Sequence, residues 1–544
     1  MMVATMTPHD APAALLPYTI ACGTAAAEPP DAQQVGFKAH NLMRMAALGL
    51  PVPPAFVLGT AWCPQAQTLT PDVWRPALEA IEQASGLRFG DRRRPLLVSV
   101  RSGAPVSMPG MMDTLLNVGL CDGTVAGFIR QTGNPRLVWD AYRRLVAAYG
   151  EIVAGLPADL FVADLEAVAG NRDERELDFA ELREVARRYL ASFARESAGT
   201  FPQDPGTQLE AAIRAVFLSW QADKARTYRR IKAIDDTVGT AVTVQRMVFG
   251  NAGGLSGAGV GFSRNPSTGE PAPWVDFLFD AQGEDVVSGR RSARGHEALA
   301  EAAPAVWDEL LAAARRIEAA FGDMQDFEFT VEQGHLFLLQ TRDGKRTPQA
   351  AARIALDLCD EGIIDAGEAA RRTARLDAAA LQVAELAADD GSRPDPVGRA
   401  DTASSGVVAG EIALDADRAI DRHAAGVAVV LVRQDAETAD IAALDHAAGL
   451  LTARGARTSH AAVVARQLGK VCLVACDTLR IDLARRRIRL GEREFAEGEL
   501  LTLDGYTGLV YPGALQIRAH VPRDVAGRLD ALRSRVGTAS PAIR

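Results

Sequence analysis

The sequence predicts a multidomain protein of mixed α/β and α+β class. Three observations support this prediction: the length of 544 residues, an apolar fraction of 48%, and strand-like runs that alternate with helical periodicity. At about 100–200 residues per domain, this length favours three or four domains. Nearly half of the residues are apolar, which is enough to give each domain its own core.

Charge and cysteine content exclude several classes of protein. Asp and Glu number 69 against 59 Lys and Arg, so no general basic surface is available for nucleic acid. The six cysteines include no CxxC pair, which favours free thiols in a reducing compartment. The longest apolar run, 424–432, is far shorter than the about 20 residues of a membrane span. Because no Lys or Arg precedes Lys38 to begin a signal peptide, we expect a cytoplasmic protein without membrane or nucleic-acid partners.

Hydrophobic periodicity predicts the elements of the first half. A helix over 41–50 is stopped by Gly49 and the prolines after it, and a strand over 55–58 follows. A second strand, 96–101, ends in a loop. Helical spacing covers 136–149 and 209–232, and strand-like runs at 241–249 and 259–263 flank a glycine-rich turn.

The second half begins with a predicted hairpin, 326–331 and 335–341, joined by a short turn that ends at Gly334. Helices are expected over 348–388, interrupted near Gly362, and 389–396 has the composition of a linker. A layered α/β domain follows, with strands at 406–413, 426–432, 449–451, 471–474 and 500–503. The predicted organisation is a loose segment 1–35, a large region 36–346, a helical linker 347–398, an α/β domain 399–515 and a C-terminal tail 516–544.

Two loops have the composition of phosphate-binding loops. The first runs from Arg101 through Ser, Gly, Pro and Met residues to Asp113, and its guanidinium suits phosphate oxygens. Taken alone, it is better explained as a packed, methionine-rich turn. The second, 249–260, has enough glycine to close over a polyphosphate, although it lacks the Gly-Lys-Ser/Thr of a Walker loop.

Acidic residues on the predicted hairpin form a candidate metal site. Asp326 and Glu328 are two residues apart on one strand and therefore share a face, and Gln340 and Arg342 repeat this spacing on the next strand. Two carboxylates and an amide oxygen are suited to Mg²⁺ together with substrate phosphates. The alternative explanation is a solvated strand edge.

His460 lies where a polar loop, 452–459, leads into an Ala- and Val-rich helix. A neutral imidazole is a competent nucleophile toward phosphorus, and the N–H groups at a helix N-terminus can hold oxyanions. The other seven histidines lie in no comparable setting. His460 is therefore the candidate nucleophile.

Longer stretches resemble a known family. The sequence is similar to pyruvate phosphate dikinases, and more distantly to phosphoenolpyruvate synthases, from Gly36 to about Gly513. The resemblance is carried by VSVRSGAPVSMPGMMDTLLNVGL, AVTVQRMVFGNAGGLSGAGVGFSRNPSTGE, AQGEDVVSG, MQDFEFTVEQGHLFLLQTRDGKRT and TSHAAVVAR. Because these motifs are long and occur in the family's order, they favour phosphate binding over a packed turn for the Arg101 loop. They likewise favour metal binding over a solvated strand edge for Asp326 and Glu328.

The resemblance implies an ATP-grasp region over 36–346 and a swivelling phosphohistidine domain over 399–515. In that family a histidine takes phosphate from ATP with release of AMP, and orthophosphate leaves with the γ-phosphoryl group as pyrophosphate. Carried over by motif, His460 and Arg101 would be catalytic, and Asp326, Glu328 and Gln340 would bind Mg²⁺. The ATP phosphates would contact Lys38, Arg101, Gln245, Gly253, Gly254, Gly257 and Arg342, and the loop around the histidine would contain Arg454, Thr458 and Ser459.

Three segments depart from the family pattern. The usual Gly-Gly-Lys-Gly-Ala-Asn is 36–41, Gly-Phe-Lys-Ala-His-Asn, here, so a less mobile first loop is expected. Before the histidine, Glu-Arg-Gly-Gly-Met is replaced by 453–457, Ala-Arg-Gly-Ala-Arg, which removes an acid and adds the cation Arg457. The usual Glu-Thr-Ser-Pro-Glu-Asp is replaced by 435–440, Asp-Ala-Glu-Thr-Ala-Asp.

Only 31 residues follow Gly513, whereas the family's pyruvate-binding barrel needs about 250. We therefore expect a separate pyruvate- or phosphoenolpyruvate-binding protein to supply the acceptor site, with ATP and orthophosphate as the other partners. Two alternatives stay open: a non-catalytic nucleotide-sensing protein derived from the family, and a synthase-like enzyme in which water replaces orthophosphate.

Overall fold

A computed structural model of the chain describes residues 15–23, 30–106, 108, 111–197, 199–287, 294–387, 393–435, 441–455, 457 and 460–539. The chain divides into two compact units, Met1–Gly254 with Phe337–Thr341, and Leu255–Leu336 with Arg342–Arg544. Both units mix helices with sheets, so the predicted multidomain α/β and α+β class is confirmed.

No helix among the described residues is long and apolar enough to cross a membrane.

The first unit is built around an antiparallel sheet in the order β1-β2-β7-β5-β6. Its strands are β1 Tyr18–Ile20, β2 Ala55–Leu58, β3 Arg88–Phe89, β4 Pro95–Leu96, β5 Val98–Gly103, β6 Thr114–Val118 and β7 Ala241–Arg246. Its α-helices are α1 Ala32–Val35, α2 Phe37–Ala47, α3 Pro71–Ser85, α4 Asp122–Thr132, α5 Pro135–Ile152, α6 Ala158–Ala169, α7 Phe179–Glu196, α8 Pro205–Leu218 and α9 Asp223–Lys232. Strand β1 pairs with β2, so the segment 1–35, expected to be loose, contains ordered structure.

Most predicted elements of this unit are confirmed, and one is wrong. The helical run expected over 209–232 is two helices, α8 and α9, separated by a 3-10 turn at Ser219–Gln221. The turn forms because Trp220 is buried there and the guanidinium of Arg229 lies 4.1 Å from the centroid of its ring. Arg229 also donates a hydrogen bond of 2.6 Å to the Trp220 carbonyl, which ties α9 back onto the turn.

The second unit begins with an antiparallel sheet in the order β10-β9-β8-β11-β12. Its elements are β8 Gly257–Phe262, β9 Trp274–Phe279, α10 Gly283–Val287, β10 Arg294–Gly295, α11 Glu297–Ala302, α12 Pro304–Phe321, β11 Gln325–Glu332 and β12 His335–Asp343. The predicted hairpin is confirmed as β11 and β12. Its two-residue turn has positive φ at Gln333 (50°) and Gly334 (81°), as the tight hairpin turn requires.

The segment expected as a helical linker, 347–398, is only partly helical. It contains α13 Pro348–Asp360, α14 Ala366–Thr373 and a strand, β13 Val383–Leu386. Periodicity in the sequence gives no sign of β13, because its strand partner lies more than a hundred residues further along the chain. Of the predicted linker 389–396, residues 389–392 lie outside the described residues.

A C-terminal α/β domain follows, which we define as residues 398–512. Its strands are β14 Gly398–Arg399, β15 Asp401–Ser404, β16 Val407–Ala413, β17 Val429–Arg433, β18 Gly449–Thr452, β19 Val471–Val474, β20 Leu479–Asp482, β21 Arg487–Leu490, β22 Arg493–Ala496, β23 Leu500–Asp504 and β24 Leu509–Pro512. Its helices are α15 Ala416–Ala424, α16 Ile441–His446 and α17 His460–Gln467.

The sheet of this domain confirms the predicted α/β layering. Strands β16, β17, β18 and β19 are parallel neighbours in the sheet order β14-β24-β23-β16-β17-β18-β19-β15. Strands β17, β18 and β19 are largely apolar, and all of their residues except Arg433 are buried, as in parallel strands covered on both faces. Strands β20, β21 and β22 form a separate antiparallel meander that the sequence analysis did not predict.

Residues 516–544, expected as a tail, contain β25 Ile517–His520 and α18 Arg523–Ala539. Strand β25 pairs antiparallel with β13. Helix α18 packs on α13 and α14 through Val525, Leu529 and Leu532. The polypeptide therefore enters and leaves the C-terminal α/β domain through one two-stranded ribbon.

Candidate active site

In the first unit, the loop before α2 lies directly against the end of β5. Gly36 has φ of +79°, and a Cβ added there would be 1.9 Å from the carbonyl oxygen of Gly103. The Phe37 N–H donates to the Ala104 carbonyl at 3.1 Å. These contacts bring Lys38, in the first turn of α2, close to the strand that carries Arg101.

The Arg101 loop is packed and also presents a cation. Met108 is buried with Trp220, and Met111 and Met112 pack against the same cluster. The end of the loop is held by Lys224, whose Nζ lies 2.8 Å from Oδ1 of Asp113. Residues 107, 109 and 110 lie outside the described residues. The methionines thus anchor the loop, while Arg101 remains partly exposed at its start.

Asn41 is a positioning residue that the sequence analysis quoted but did not assign. It is buried, and its Nδ2 donates to the Thr341 carbonyl at 2.8 Å. Thr341 follows Gln340, whose side chain is also buried. The hydrogen bond fixes the backbone beside Gln340. The sequence alone could not predict this role of Asn41, because its partner lies 300 residues away.

The remaining predicted phosphate ligands occupy different settings. Gln245 is buried on β7, and its Nε2 donates to the Pro53 carbonyl at 3.1 Å. Gly253 and Gly254 have φ of +82° and +59°, with open space where a Cβ would lie. Gly257 is the first residue of β8, and a Cβ there would be 2.1 Å from the ring of Phe277. Packing against an aromatic ring therefore explains the glycine at 257.

In the second unit, one face of the sheet collects the acidic residues. Val260 of β8 is opposite Asp276 of β9 on one side and Glu328 of β11 on the other. In the next row, Phe262 is opposite Trp274 and Asp326. Directly opposed residues share a face. We call this surface, formed by Asp276, Asp326, Glu328, Trp274, Phe262 and Val260, the carboxylate face.

Asp326 is a buried acid of the carboxylate face. Its side chain is buried, and Arg342 Nε donates to Oδ2 at 2.8 Å. Burial raises the pKa of Asp326, and the nearby Glu328 carboxylate raises it further, although Arg342 opposes both. A second cation at this site would relieve the cost of keeping both carboxylates ionised.

The donor set fits Mg²⁺ bound together with a substrate. Asp326 and Glu328 provide hard carboxylate oxygens from one strand face. Among the described residues, no group of three or more His, Cys, Asp and Glu side chains is arranged to hold a metal ion. An ion here would therefore need further oxygens from substrate phosphates and water, which is the usual mode of Mg²⁺ binding.

The predicted start of a helix at His460 is confirmed, because α17 begins at that residue. The side chain of His460, and residues Thr458 and Ser459, lie outside what the structure describes. Arg454, on the same loop, has a side chain 64% exposed and lies 3.9 Å from Asp435. Of the altered segment 435–440, only Asp435 is described.

Arg466, in the last turn of α17, connects the C-terminal α/β domain to the carboxylate face. Its guanidinium is fully buried, 5.0 Å from the ring centroid of Trp274 and 5.3 Å from that of Phe262. It donates to the carbonyl of Ala403 at 2.6 Å. Burial lowers the pKa of Arg466 to about 10, so the side chain stays charged at neutral pH. The helix that begins with His460 is thus packed on the face that carries Asp326.

Family models match most of the chain. The model described as "Pyruvate phosphate dikinase, AMP/ATP-binding domain" matches residues 64–296 and 294–362. The chain belongs to the pyruvate phosphate dikinase family. A second model, "PEP-utilising enzyme, mobile domain", matches residues 426–508, within the C-terminal α/β domain. The family is one of phosphotransferases, as the resemblance of the motifs implied.

Individual relatives agree with this membership. The chain is 42% identical over 503 residues to a pyruvate, phosphate dikinase of Clostridium symbiosum, covering 89% of this chain and 56% of the relative. It is 40% identical over 522 residues to that of Rhizobium meliloti (strain 1021), covering 92% and 58%. It is 42% identical over 499 residues to that of Giardia intestinalis, covering 89% and 56%. The chain thus spans a little over half the length of these curated relatives.

Proposed function

We propose that this pyruvate phosphate dikinase family member phosphorylates His460 from ATP, releasing AMP, and converts orthophosphate to pyrophosphate in the same half-reaction. A ring nitrogen of His460 attacks the β-phosphorus as the bond to AMP breaks. An oxygen of orthophosphate then attacks the γ-phosphorus, and pyrophosphate leaves. One phosphoryl group, derived from the β position, remains on the histidine.

The chain's own residues have distinct tasks in this proposal. Lys38 and Arg101 bind phosphate oxygens in the first unit, where Gly36 and Gly103 let their backbones approach closely. Glu328 and Asp326, with Gln340, hold Mg²⁺, which neutralises charge that develops on the phosphates. The N-terminus of α17 presents backbone N–H groups beside His460, where they stabilise the phosphorylated form.

One observation carries the proposal: the helix that begins with His460 packs on the carboxylate face through the buried Arg466. A nucleophile delivered to the surface that carries Asp326 and Glu328 is what phosphoryl transfer from a metal-bound nucleotide needs. The polypeptide enters and leaves the C-terminal α/β domain through the paired strands β13 and β25. This connection suits a rigid-body movement of the domain after His460 is phosphorylated.

Pyruvate is the proposed phosphoryl acceptor, as the names of the relatives suggest. The described residues form no (β/α)₈ barrel. We therefore place the pyruvate site outside them, where the phosphorylated C-terminal α/β domain reaches it by swinging on its ribbon.

Isotope exchange tests the ATP half-reaction. Labelled AMP should be incorporated into ATP when pyrophosphate, orthophosphate and Mg²⁺ are present, and His460→Asn should abolish the incorporation. Labelled orthophosphate separates the alternatives: it should appear in pyrophosphate if the protein is a dikinase, whereas release of the γ-phosphoryl group as orthophosphate would favour the synthase-like alternative, in which water takes that group. Absence of exchange in the wild-type protein under all these conditions would refute the proposal and favour the non-catalytic one.

A further inference from the structure

Arg457 makes a second contact between the histidine loop and the carboxylate face. It lies three residues before His460, at the position where the family pattern has methionine. Its Nε donates to Oδ1 of Asp276 at 2.7 Å, and its Nη2 pairs with the same oxygen. Nη2 also donates to the Val275 carbonyl at 3.1 Å. Three polar contacts on one short stretch of β9 fix the direction of this side chain.

The pair is shielded from solvent. The side chain of Arg457 is 17% exposed and that of Asp276 is 2% exposed. The guanidinium also lies 4.9 Å from the ring centroid of Trp274. Removing one partner of a desolvated, hydrogen-bonded ion pair is costly, because it leaves the other charge buried and unpaired.

The two arginines have complementary effects on docking. Arg466 Nη2 donates to the Arg457 carbonyl at 3.1 Å, so the loop is tied to the helix that follows it. Arg466 contributes stacking on Phe262 and Trp274, which are apolar and tolerate rotation. Arg457 adds a directional pair to a single carboxylate. The first contact favours docking, and the second specifies its orientation.

Asp276 is placed so that this orientation has a chemical consequence. It shares a cross-strand row with Val260 and Glu328. Two strand spacings, about 10 Å, therefore separate the backbones at Asp276 and Glu328. Anchoring the loop at Asp276 therefore holds Arg457 on the carboxylate face, two strands from Glu328.

We propose that Arg457 is a positioning residue whose ion pair with Asp276 latches the C-terminal α/β domain on the carboxylate face, and that this latch sets the rate at which His460 reaches ATP. The kinetic part of this inference rests on the proposed function, while the latch itself does not. Replacing Arg457 by the family's methionine should loosen docking and leave the fold of the domain intact.

Spin-label distances test the latch without any chemistry. Labels are attached at Glu309→Cys on α12 and Asp421→Cys on α15, both exposed, after Cys22, Cys63 and Cys359 are changed to serine. The parent protein should give one narrow distance distribution. Arg457→Met and Asp276→Asn should each shift the population to broader, longer distances. Arg457→Lys should restore much of the narrow distribution because it keeps the charge.

A matched control removes an ion pair of the same kind inside the domain. Arg422 makes two hydrogen bonds of 2.8 Å to Glu411, and neither residue touches the carboxylate face. Arg422→Met should leave the distance distribution unchanged. The double variant Arg457→Met with Asp276→Asn should be no more open than either single variant, because both remove the same interaction.

Kinetics then connect the latch to the reaction. Arg457→Met should lower the rate of His460 phosphorylation at saturating ATP by about tenfold or more, without changing the Kd for ATP. Unchanged distances in Arg457→Met and Asp276→Asn would overturn the latch, whatever the rates do. Shifted distances in a protein that never phosphorylates His460 would support the latch and refute the proposed function instead.

Discussion

Single residues decide which face of the second unit's sheet is available for chemistry. Gly259 and Gly261 alternate along β8, and a Cβ at either would come within 2.7 Å of Phe329 or Phe327. The aromatic rings of β11 fill that side of the sheet, so the residues between them, Asp326 and Glu328, project to the other side. The alternation of β11 alone predicts that these carboxylates share a face, and it was read correctly from the sequence.

Other site residues could not be predicted from the sequence. Asp276 stands in an apolar strand with nothing nearby to give it a role, and its partner Arg457 is 181 residues away. Arg466 belongs to a motif, but its burial against Trp274 is a property of the folded chain. Residue pairs this far apart in the sequence produce no hydrophobic periodicity, and no single motif contains both members of a pair.

Glu328→Ala should lower the rate of His460 phosphorylation by about a thousandfold, because the carboxylate that holds the charge-neutralising ion is lost. The measurement is transfer of label from ATP to protein under single-turnover conditions. Glu332→Ala is the matched control, four residues along the same strand and therefore about 13 Å away. A Glu328→Ala protein as fast as this control would exclude a metal role for Glu328.

At the scale of elements, the hairpin with its short turn was predicted, and strand partners distant in sequence were not. The β11–β12 hairpin was predicted from two alternating runs separated by a short turn that ends at Gly334, and the structure has positive φ at Gln333 and Gly334 in that turn. The β13–β25 pair and the β20–β22 meander were not predicted. Strand β13 is surrounded by helical sequence, and the meander is rich in arginine rather than in the β-branched residues typical of strands.

Arg264 joins helix α12 to the C-terminal end of helix α13. Its side chain is 2% exposed, and it pairs with Glu318 at 2.8 Å and with Glu361 at 2.7 Å. Arg264→Met should cost about 3–5 kcal/mol of unfolding free energy in denaturant titrations, because the buried Glu318 charge loses its partner. Arg264→Met with Glu318→Gln should recover part of that loss. Equal destabilisation in the single and double variants would contradict this explanation.

Helix α15 should show a pH-dependent contribution from its cap. Burial alone would raise the pKa of Asp415. The Arg418 backbone N–H and the Arg486 guanidinium outweigh that effect and lower this pKa from its ordinary value of 3.8. A lowered folded-state pKa stabilises the protein above 3.8, and this stability is lost as the pH falls through the folded-state value. Asp415→Asn should therefore lower the urea midpoint at neutral pH, and the difference should shrink below pH 3.8. A difference that is independent of pH would contradict the assigned cause.

At the scale of the whole molecule, the C-terminal α/β domain is joined to the rest of the second unit by a paired ribbon and by docking contacts of a few side chains. The ribbon is anchored by α18, where Arg528 pairs with Asp357 at 2.7 Å and Asp360 at 2.8 Å. The docking contacts of Arg457 and Arg466 with Trp274 lie outside both hydrophobic clusters of the C-terminal α/β domain. This division suits a domain that receives a phosphoryl group on one surface and delivers it elsewhere.

The central claim is that His460 receives the β-phosphoryl group of ATP, and labelled ATP tests it most directly. We expect β-labelled ATP, with Mg²⁺ and orthophosphate, to leave acid-labile, base-stable label on the wild-type protein at close to one group per chain, and γ-labelled ATP to leave none once pyrophosphate has departed. His460→Asn should carry no label from either nucleotide. Label that persists in His460→Asn, or wild-type protein that takes no label from β-labelled ATP, would contradict the account.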